Sequence, residues 1–346
     1  MNDFLQLRVK KIVKETEDAF TYFFEPVENT VLNYKSGQFL TLIFKKNEKE
    51  VRRSYSIISS TGVDADLAIT IKRMVNGELS RYLIDHLGIG DVIQSLYPTG
   101  RFTVDPGSQQ KRTFFFLAAG GGITPVYSLI KTVLYEEPVS NVILIYSNVS
   151  EATTIFYGQI KSLGEQFPSR LKCIFLFSRS GQRLNNIMLE NLVNQHLSSE
   201  NLNEFYFCGP YAYMRMITLT LIYMGFKKEQ LHKENFISEQ LPQSTEVLAE
   251  RNTAAHVIHI VYAGKNYELT VPPHQTILDA ALEKNILLPY SCKAGLCSAC
   301  AAICKAGKVG MINNEVLTDK DISEGWVLTC TGFPLEDDTV INFETE

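Results

Sequence analysis

Apolar and polar residues alternate over short stretches in the first third of the chain, between turn-forming pairs such as Ser36-Gly37 and Thr61-Gly62. Five of these stretches are rich in β-branched and aromatic residues, a composition typical of strands. They are Leu5–Val13, Ala19–Phe24, Phe39–Phe44, Arg53–Ile58 and Leu67–Arg73. Short strands separated by turn signals predict a small antiparallel β-barrel over residues 1–108.

A different pattern begins near Lys111, where apolar runs alternate with helical stretches. The runs are Thr113–Ala118, Asn141–Tyr146, Leu171–Phe177 and Glu204–Cys208. Such alternation predicts an α/β domain over residues 109–236, with a parallel sheet covered by helices on both faces. Two helix starts carry local signals, because Thr124 is a candidate N-cap before Pro125 and Pro210 opens another helix.

The last quarter of the chain forms a third pattern. Residues 237–255 are mostly polar or turn-forming and show little apolar periodicity, which is typical of a linker. Beyond them, Val257–Val261 and Tyr267–Val271 predict a hairpin around Gly264, and Ile277–Lys284 predicts a helix. We therefore expect a third, α+β domain over residues 256–346.

Charge is distributed unevenly between these domains. The whole chain has a net charge of −5 and is 45% hydrophobic, so a packed core is expected and nucleic-acid binding is not. Residues 256–346 contain six Lys and twelve Asp or Glu, a net charge of −6. The C-terminal domain is therefore acidic, and the remainder of the chain is nearly neutral.

The sequence also indicates a compartment. Its N-terminus lacks the apolar core of a signal peptide, and its longest apolar stretch, Phe114–Ile123, is too short to span a bilayer. We therefore expect a cytoplasmic protein without a membrane span. In a reducing compartment, the seven cysteines are expected to be thiols or metal ligands rather than disulfides.

Four of these cysteines form a recognisable pattern. Cys292, Cys297 and Cys300 follow the spacing C-x4-C-x2-C, and Cys330 lies further along the chain. Two irons need four thiolates, and this spacing is that of plant-type 2Fe–2S proteins. Gly295 lets the loop turn closely, so that amide groups can point at sulfur. A zinc site and buried free thiols are the alternatives, although structural zinc sites usually pair two short C-x2-C hooks.

Residues 256–346 resemble a plant-type ferredoxin domain, which implies a β-grasp-like fold. The resemblance rests on Ser291–Cys300, which matches the cluster loop, and on Val327–Cys330, which matches the segment with the fourth ligand. Lys293 departs from the arginine usual after the first cysteine. Cys304 and Cys173 lie outside the motif and are expected to be structural thiols.

A polar and aromatic tetrapeptide, Arg53-Ser54-Tyr55-Ser56, lies in the fourth predicted strand. A guanidinium can hold a pyrophosphate in two hydrogen bonds, an aromatic ring can lie against an isoalloxazine, and a hydroxyl can bond its reactive edge. An ordinary alternating strand is the alternative. The tetrapeptide resembles the R-x-Y-S flavin motif of the ferredoxin–NADP reductase superfamily, which implies these three roles for Arg53, Tyr55 and Ser56.

A second segment strengthens the flavin interpretation. Ile71-Lys72-Arg73, with Gly77 and Ser80, resembles the superfamily's second flavin-phosphate segment. It precedes a predicted helix at Arg81–His86, whose N-terminus favours an anion. A capped surface helix is the alternative. The Gly77–Ser80 segment favours FAD over FMN.

Glycines mark the predicted nucleotide site. Gly120, Gly121 and Gly122 follow a strand, and the run continues through Thr124 to Pro125, which resembles the superfamily's G-x-G-x-x-P turn. Small residues there let a dinucleotide pyrophosphate approach backbone N–H groups.

Two further strand ends are candidate nucleotide contacts. Cys208-Gly209-Pro210 resembles the C-G-P element that borders the nicotinamide ring, although Cys208 is also a plausible small core residue. Ser178-Arg179, with Arg183, resembles the segment that receives the 2′-phosphate of NADP, and a solvated basic turn is the alternative. The resemblance favours NADPH over NADH.

The order of flavin, nucleotide and ferredoxin domains resembles the reductase components of multicomponent oxygenases, of the phenylacetyl-CoA monooxygenase reductase type. It implies an NAD(P)H:acceptor oxidoreductase that passes electrons from NADPH through FAD, with Tyr55, Ser56 and Cys208 at the reacting groups, to the 2Fe–2S cluster. The implied partner is a terminal oxygenase, a desaturase or another electron-accepting protein. The alternative is an iron–sulfur redox carrier or sensor without significant NAD(P)H turnover.

Overall fold

The computed structural model describes residues 4–28, 31–46, 49–75, 77–107, 111–198, 200–236 and 254–344. The chain divides into two compact units, one of residues 4–236 and the other containing residues 254–344. Most of the predicted linker, residues 237–253, lies outside the described residues.

The larger unit begins with a six-stranded antiparallel sheet whose strand order is β4-β3-β6-β1-β2-β5. A bridge between Ile57 and Ile69 joins the two edges of this sheet and closes it into the predicted barrel. Alternating side chains of the strands fill the barrel, as Leu5, Leu7 and Val9 show for the first one. The strands are β1 (Leu5–Lys14), β2 (Ala19–Pro26), β3 (Phe39–Lys46), β4 (Lys49–Ser56), β5 (Leu67–Lys72) and β6 (Val92–Ser95).

Two elements of the barrel differ from the sequence prediction. The short strand β6, between β1 and β3, was not predicted because four residues are too few to establish an alternation. Helix α1 spans Glu78–His86 rather than Arg81–His86, with Gly77 as its N-cap. Ser80 therefore lies within the first turn of α1 instead of before it.

A five-stranded parallel sheet follows, in the order β11-β10-β7-β8-β9, with helices on both faces as predicted. Each face carries its own apolar core, and one of these cores also includes barrel residues such as Ile58 and Phe102. The strands are β7 (Arg112–Ala119), β8 (Asn141–Asn148), β9 (Leu171–Phe177), β10 (Leu202–Cys208) and β11 (Leu231–Glu234). The helices are α2 (Ile123–Glu136), α3 (Tyr157–Gln166), α4 (Asn186–His196) and α5 (Tyr211–Tyr223).

The predicted N-cap at Thr124 is wrong. Helix α2 begins at Ile123 with Gly122 as its N-cap, and no side chain caps it. The Thr124 hydroxyl donates instead to the Gly121 carbonyl at 3.1 Å. The single 3-10 turn at Gly120–Gly122 runs directly into α2, so the helix starts earlier than the Thr-Pro signal indicates.

The smaller unit is built on a mixed five-stranded sheet in the order β13-β12-β18-β14-β16, beside a two-stranded sheet of β15 and β17. The predicted hairpin around Gly264 is confirmed. The strands are β12 (His256–Tyr262), β13 (Lys265–Val271), β14 (Ala301–Ala306), β15 (Val309–Met311), β16 (Trp326–Leu328), β17 (Gly332–Pro334) and β18 (Thr339–Asn342). The helices are α6 (Ile277–Glu283) and α7 (Asp319–Ser323).

No helix in the described part of the chain combines the length and the apolar character needed to cross a bilayer.

Candidate flavin, nucleotide and cluster sites

Three strand ends converge at one point of the larger unit. Ser56 ends β4, Cys208 ends β10 and Glu234 ends β11. Ser56 Oγ donates a hydrogen bond to Glu234 Oε2 at 3.2 Å, and Cys208 is the register partner of Glu234. The end of the flavin-motif strand thus meets the carboxyl ends of parallel strands, which is where open α/β sheets bind ligands.

Glu234 is a residue of this site that the sequence analysis missed. Burial of its carboxyl group raises the pKa to about 8, and the hydrogen bond from Ser56 opposes that rise. Burial also raises the pKa of the neighbouring Cys208 thiol, so that thiol stays neutral at pH 7. A carboxyl group that titrates near neutral pH beside a ligand site can exchange protons with it. The only sequence signal was an acidic residue at the end of a very short strand.

The pKa of Glu234 predicts a pH effect on stability. Because its pKa of about 8 in the folded chain exceeds the ordinary 4.5, the folded state holds an extra proton between those values. The contribution of Glu234 to stability therefore decreases as pH rises through this window. Glu234→Gln lacks that proton, so we expect its melting temperature to fall less, by a few degrees, between about pH 5 and pH 8.

Thermal melts across that pH range test this prediction. Glu229→Gln is the matched control, because Glu229 is an exposed carboxylate in the same region. It should follow the wild-type curve, whereas identical pH slopes for wild type and Glu234→Gln would contradict the buried protonated carboxyl.

The flavin motif presents its side chains on both faces of β4. Arg53 is exposed, and its Nη1 donates to the Arg52 carbonyl at 2.7 Å, which leaves further donors of the guanidinium for a ligand. Tyr55 is half-buried against the barrel core, and burial raises its pKa, so its phenol is neutral. Ser56 is buried on the opposite side from Tyr55. A cation, an aromatic face and a hydroxyl within four residues of one strand fit a flavin nucleotide.

The second flavin segment surrounds the start of α1. Ile71 is fully buried in the barrel core, whereas Lys72 Nζ lies 3.5 Å from Asp18 Oδ2. The Ser80 hydroxyl accepts from the Met74 amide at 3.1 Å and donates to the Gly77 carbonyl at 3.2 Å. Ser80 therefore holds the turn that exposes the N-terminus of α1. Backbone amides at such a terminus suit a phosphate.

The glycine turn lies directly against the end of β10. A Cβ on Gly122 would lie 2.1 Å from the Cys208 carbonyl oxygen, so only glycine permits this approach. Gly120 adopts a left-handed φ of 52°, and a Cβ built there meets nothing within 4 Å. The turn is thus packed tightly on one side and open on the other, which fits a pyrophosphate on its backbone amides.

Gly209 and Pro210 continue from Cys208 into α5. A Cβ on Gly209 would approach the Ala119 Cβ to 3.0 Å, so this loop packs against the end of β7. Pro210 is the N-cap of α5. The structure therefore brings the predicted C-G-P element and the glycine turn together.

The predicted 2′-phosphate residues lie at the same sheet edge but further along it. Ser178 begins a single 3-10 turn after β9, and the Arg179 amide donates to the Val149 carbonyl at 3.1 Å. The side chains of Arg179 and Arg183 are exposed. Two solvated guanidinium groups at the carboxyl end of the sheet fit an anionic part of a nucleotide.

In the smaller unit, the four motif cysteines come together. The Cys292 thiol is within hydrogen-bonding reach of Cys297 and Cys330, and Cys330 also reaches Cys300. The Ala294 amide donates to Cys292 Sγ at 3.4 Å. The described residues contain no group of three His, Cys, Asp or Glu arranged for a single metal ion. Pairwise thiol contacts fit a 2Fe–2S cluster, in which each of two irons takes two cysteines.

The cluster loop is shaped by two left-handed residues. Gly295 has a φ of 72°, and a Cβ there would lie 2.5 Å from the Asn313 carbonyl oxygen. Lys293 has a φ of 53°. Its Nζ lies 3.5 Å from Asp279 Oδ1 in α6 and 4.8 Å from the centre of the Tyr290 ring. Lys293 thus contacts the neighbouring helix through a single ammonium group rather than through the several N–H donors of an arginine guanidinium.

The other two thiols named in the sequence analysis lie apart from this group. Cys304 Sγ donates to the Ala306 carbonyl at 3.2 Å on β14, and Cys173 packs against a core of the larger unit. Burial raises the pKa of Cys173 to about 11, so it remains a thiol.

Three family models match the chain. The oxidoreductase FAD-binding domain matches residues 6–104, the oxidoreductase NAD-binding domain matches residues 116–218, and the 2Fe-2S iron-sulfur cluster binding domain matches residues 260–335. Together with the fold, these matches confirm the predicted fold class and the predicted cofactors FAD, NAD(P)H and a 2Fe–2S cluster.

Two relatives are similar to this chain over nearly their whole length. A 1,2-phenylacetyl-CoA epoxidase component of Escherichia coli (strain K12) is 30% identical, over 100% of this chain and 99% of its own. The ferredoxin reductase component of 3-ketosteroid-9-alpha-monooxygenase of Mycolicibacterium smegmatis is 32% identical, over 98% of this chain and 97% of its own.

Solved structures share the architecture. Phthalate dioxygenase reductase superposes with a TM-score of 0.62 at 21% identity, over 98% of both chains. An intact type IV self-sufficient cytochrome P450 monooxygenase gives a TM-score of 0.74 at 19% identity, over 98% of this chain and 41% of its own. At these identities the likeness concerns the fold alone.

Proposed function

The chain belongs to the family of NAD(P)H-dependent oxygenase reductases with FAD-binding, NAD-binding and 2Fe–2S domains, and from that membership we propose that it supplies electrons from NADPH to a partner oxygenase. The observation that carries this proposal is the meeting of the flavin-motif strand with the nucleotide strands at Ser56, Cys208 and Glu234. We propose domain boundaries after residues 108 and 236, with residues 237–255 as a linker.

At the flavin end, we assign a binding role to each motif residue. The exposed guanidinium of Arg53 and the ammonium of Lys72 neutralise the phosphates of FAD, with the amides at Gly77–Ser80. Ile71 supports that segment from the barrel core. Tyr55 supplies an aromatic surface for the ring system, and its neutral phenol keeps this surface uncharged.

At the nucleotide end, the residues act mainly through the backbone. Gly120, Gly121 and Gly122 leave room for the pyrophosphate, and Thr124 ties the turn to the start of α2. Cys208 and Gly209 form a buried surface beside the nicotinamide, since the Cys208 thiol is buried and neutral, and Pro210 follows them as the N-cap of α5. Ser178, Arg179 and Arg183 receive the 2′-phosphate.

The chemistry divides between the cofactors and the protein. Bound FAD supplies the conversion of a two-electron hydride donor into single electrons, and the cluster carries those electrons onward. Ser56 orients the reacting edge through its hydroxyl, and Glu234 holds a proton on its carboxyl group within hydrogen-bonding reach of Ser56. Cys292, Cys297, Cys300 and Cys330 are the proposed cluster ligands.

Family membership supports a proposal for the partner protein, and the state of the cysteines supports a proposal for the cellular compartment. We propose a terminal oxygenase as the electron acceptor, with a desaturase or another redox protein as the alternative. None of the seven cysteines forms a disulfide, which suits the reducing cytoplasm. The absence of nucleic-acid binding stays a prediction from the charge.

Cofactor analysis tests the proposal most directly. The purified chain should contain one FAD and one 2Fe–2S cluster, and NADPH should bleach the flavin absorbance under anaerobic conditions. Flavin release with chromatography, and iron and sulfide assays, give the stoichiometry. Recovery of FMN or zinc would contradict the assignments. A cluster without bleaching by either nucleotide would favour the redox carrier or sensor.

Arg179→Ala should narrow the preference for NADPH over NADH. A charge-assisted phosphate contact contributes on the order of 1.5–3 kcal/mol, which corresponds to about tenfold or more in kcat/KM. Steady-state kcat/KM for both nucleotides measures this effect. Arg215→Ala is the control, because Arg215 is also an exposed arginine but belongs to α5 and not to the basic turn after β9. A wild type that prefers NADH, or an equal loss with both nucleotides, would overturn the role of Ser178-Arg179.

A further inference from the structure

A row of polar residues, most of them buried, joins the barrel to helix α2 inside the larger unit. We call this row the polar seam and define it by its hydrogen-bonded residues. On the barrel side it consists of Ser36, Gly37, Ser60 and Asp64, and on α2 it consists of Ser128, Lys131 and Thr132.

The contacts across the polar seam are specific. The Gly37 amide donates to Ser128 Oγ at 3.0 Å, and Ser60 Oγ donates to the Ser128 carbonyl at 2.8 Å. Thr132 Oγ1 donates to Ser36 Oγ at 2.6 Å. The four hydroxyl side chains in these contacts are at most 5% exposed: Ser36, Ser60, Ser128 and Thr132. A buried polar contact is satisfied only in one register, whereas an apolar surface tolerates sliding.

A buried cation lies at the end of the seam. Only 7% of the Lys131 side chain is exposed, and its ammonium forms an ion pair with Asp64, of which 33% is exposed. The Asp64 carboxylate also accepts from the Ser60 amide at 2.6 Å, and Lys131 lies 4.6 Å from the centre of the Tyr127 ring. Burial lowers the pKa of Lys131, and Asp64 opposes that shift. Such a pair adds little to stability compared with apolar residues of equal size, but it specifies a geometry.

The barrel side of the polar seam is close in sequence to the flavin-motif strand, and its α2 side belongs to the helix that begins at the glycine turn. Ser60 follows the flavin-motif residue Ser56 by four positions, and Ile57 and Ile58 between them are bonded into the barrel. On the other side, α2 begins at the glycine turn, whose last residue Gly122 is its N-cap. The orientation of α2 against the barrel therefore sets the position of the nucleotide turn relative to the flavin strand.

We propose that Lys131 and Asp64 are positioning residues for hydride transfer, which fix the register of the nucleotide turn against the flavin-binding strand through the polar seam. The inference rests on the flavin and nucleotide assignments above and adds residues that touch neither ligand. A small displacement of the nucleotide turn relative to the flavin-binding strand would slow hydride transfer strongly, because the transfer requires a close and aligned hydride donor and acceptor.

The test replaces the pair with apolar residues in the full chain, as Lys131→Met/Asp64→Leu. The matched control is Lys35→Met/Asp105→Leu, an ion pair of the same residue types at 2.7 Å whose side chains are 63% and 83% exposed. Melting temperature, FAD content, and the anaerobic rate of flavin bleaching by saturating NADPH are measured for both. The wild type must first bleach with NADPH, and its failure to do so would refute the proposed function instead.

We expect the seam variant to keep its FAD and its melting temperature, while the bleaching rate falls about 10- to 100-fold. The control should react like the wild type. With NADPH deuterated at the transferred position, the seam variant should show an isotope effect at least as large as the wild type, because hydride transfer itself is slowed. A wild-type rate, a vanishing isotope effect, or a variant that fails to fold or to bind FAD would overturn the proposal. Lys131→Arg, which keeps the charge, should recover part of the rate.

Discussion

Cys297→Ser is expected to purify without a cluster. Cys297 is the second of the three cysteines in the C-x4-C-x2-C loop, and its thiol contacts Cys292. A 2Fe–2S cluster needs all four thiolates, and a serine hydroxyl is a much poorer ligand for iron. The visible absorbance of the cluster and the rhombic electron paramagnetic resonance signal of the reduced protein should both be lost, while flavin bleaching by NADPH continues.

Two other thiols supply the controls for this experiment. Cys304→Ser and Cys173→Ser should keep the full signal, because the first thiol bonds a carbonyl on β14 and the second packs against a separate core. Cys304 is the sharper control, since it lies only four residues beyond the proposed ligand Cys300. Loss of the signal in Cys304→Ser would mean that the ligand set is wrong.

Truncation after Gln243 should separate the two electron-transfer activities. Residues 4–236 form their own compact unit with apolar cores, so the fragment should fold and bind FAD. It should oxidise NADPH with ferricyanide, which accepts electrons from flavin directly. It should lose most of its cytochrome c reduction, because the cluster is the proposed exit point for electrons.

The intact chain provides an independent check through salt. Residues 256–346 have a net charge of −6, and cytochrome c is basic, so its reduction should slow as ionic strength rises. Ferricyanide is a small anion and should respond differently. If the truncated chain reduces cytochrome c at the intact rate, electrons leave from the flavin and the role of the ferredoxin domain is refuted.

Local patterns of the sequence were sufficient for much of this architecture. The strand–turn–helix context of Gly120–Gly122, the hairpin around Gly264 and the cysteine loop each depend on neighbours a few residues apart. Such features are encoded in consecutive residues, because turns need glycine at defined positions and a cluster loop needs defined spacing. The fold class and the cofactors could therefore be predicted before any distance was known.

The boundaries of elements were less predictable. Helix α2 begins at Ile123, ahead of the Thr124-Pro125 signal, because the preceding 3-10 turn at the glycines continues into it. Strand β6 is recognised only through its pairing with β1 and β3. The start of α2 thus depends on the turn that precedes it, and β6 depends on the two strands beside it, which only the fold brings together.

What the sequence by itself determined about this protein is its three domains, their order and the residue types that each cofactor requires. What only the tertiary structure decided is which distant groups meet. Ser56 and Glu234 are separated by 178 positions, and Lys131 and Asp64 by 67, yet each pair is in contact. The physical reason is that periodicity and spacing report a residue's own element, whereas a buried carboxyl or ammonium acquires its partner, and its shifted pKa, from packing between elements.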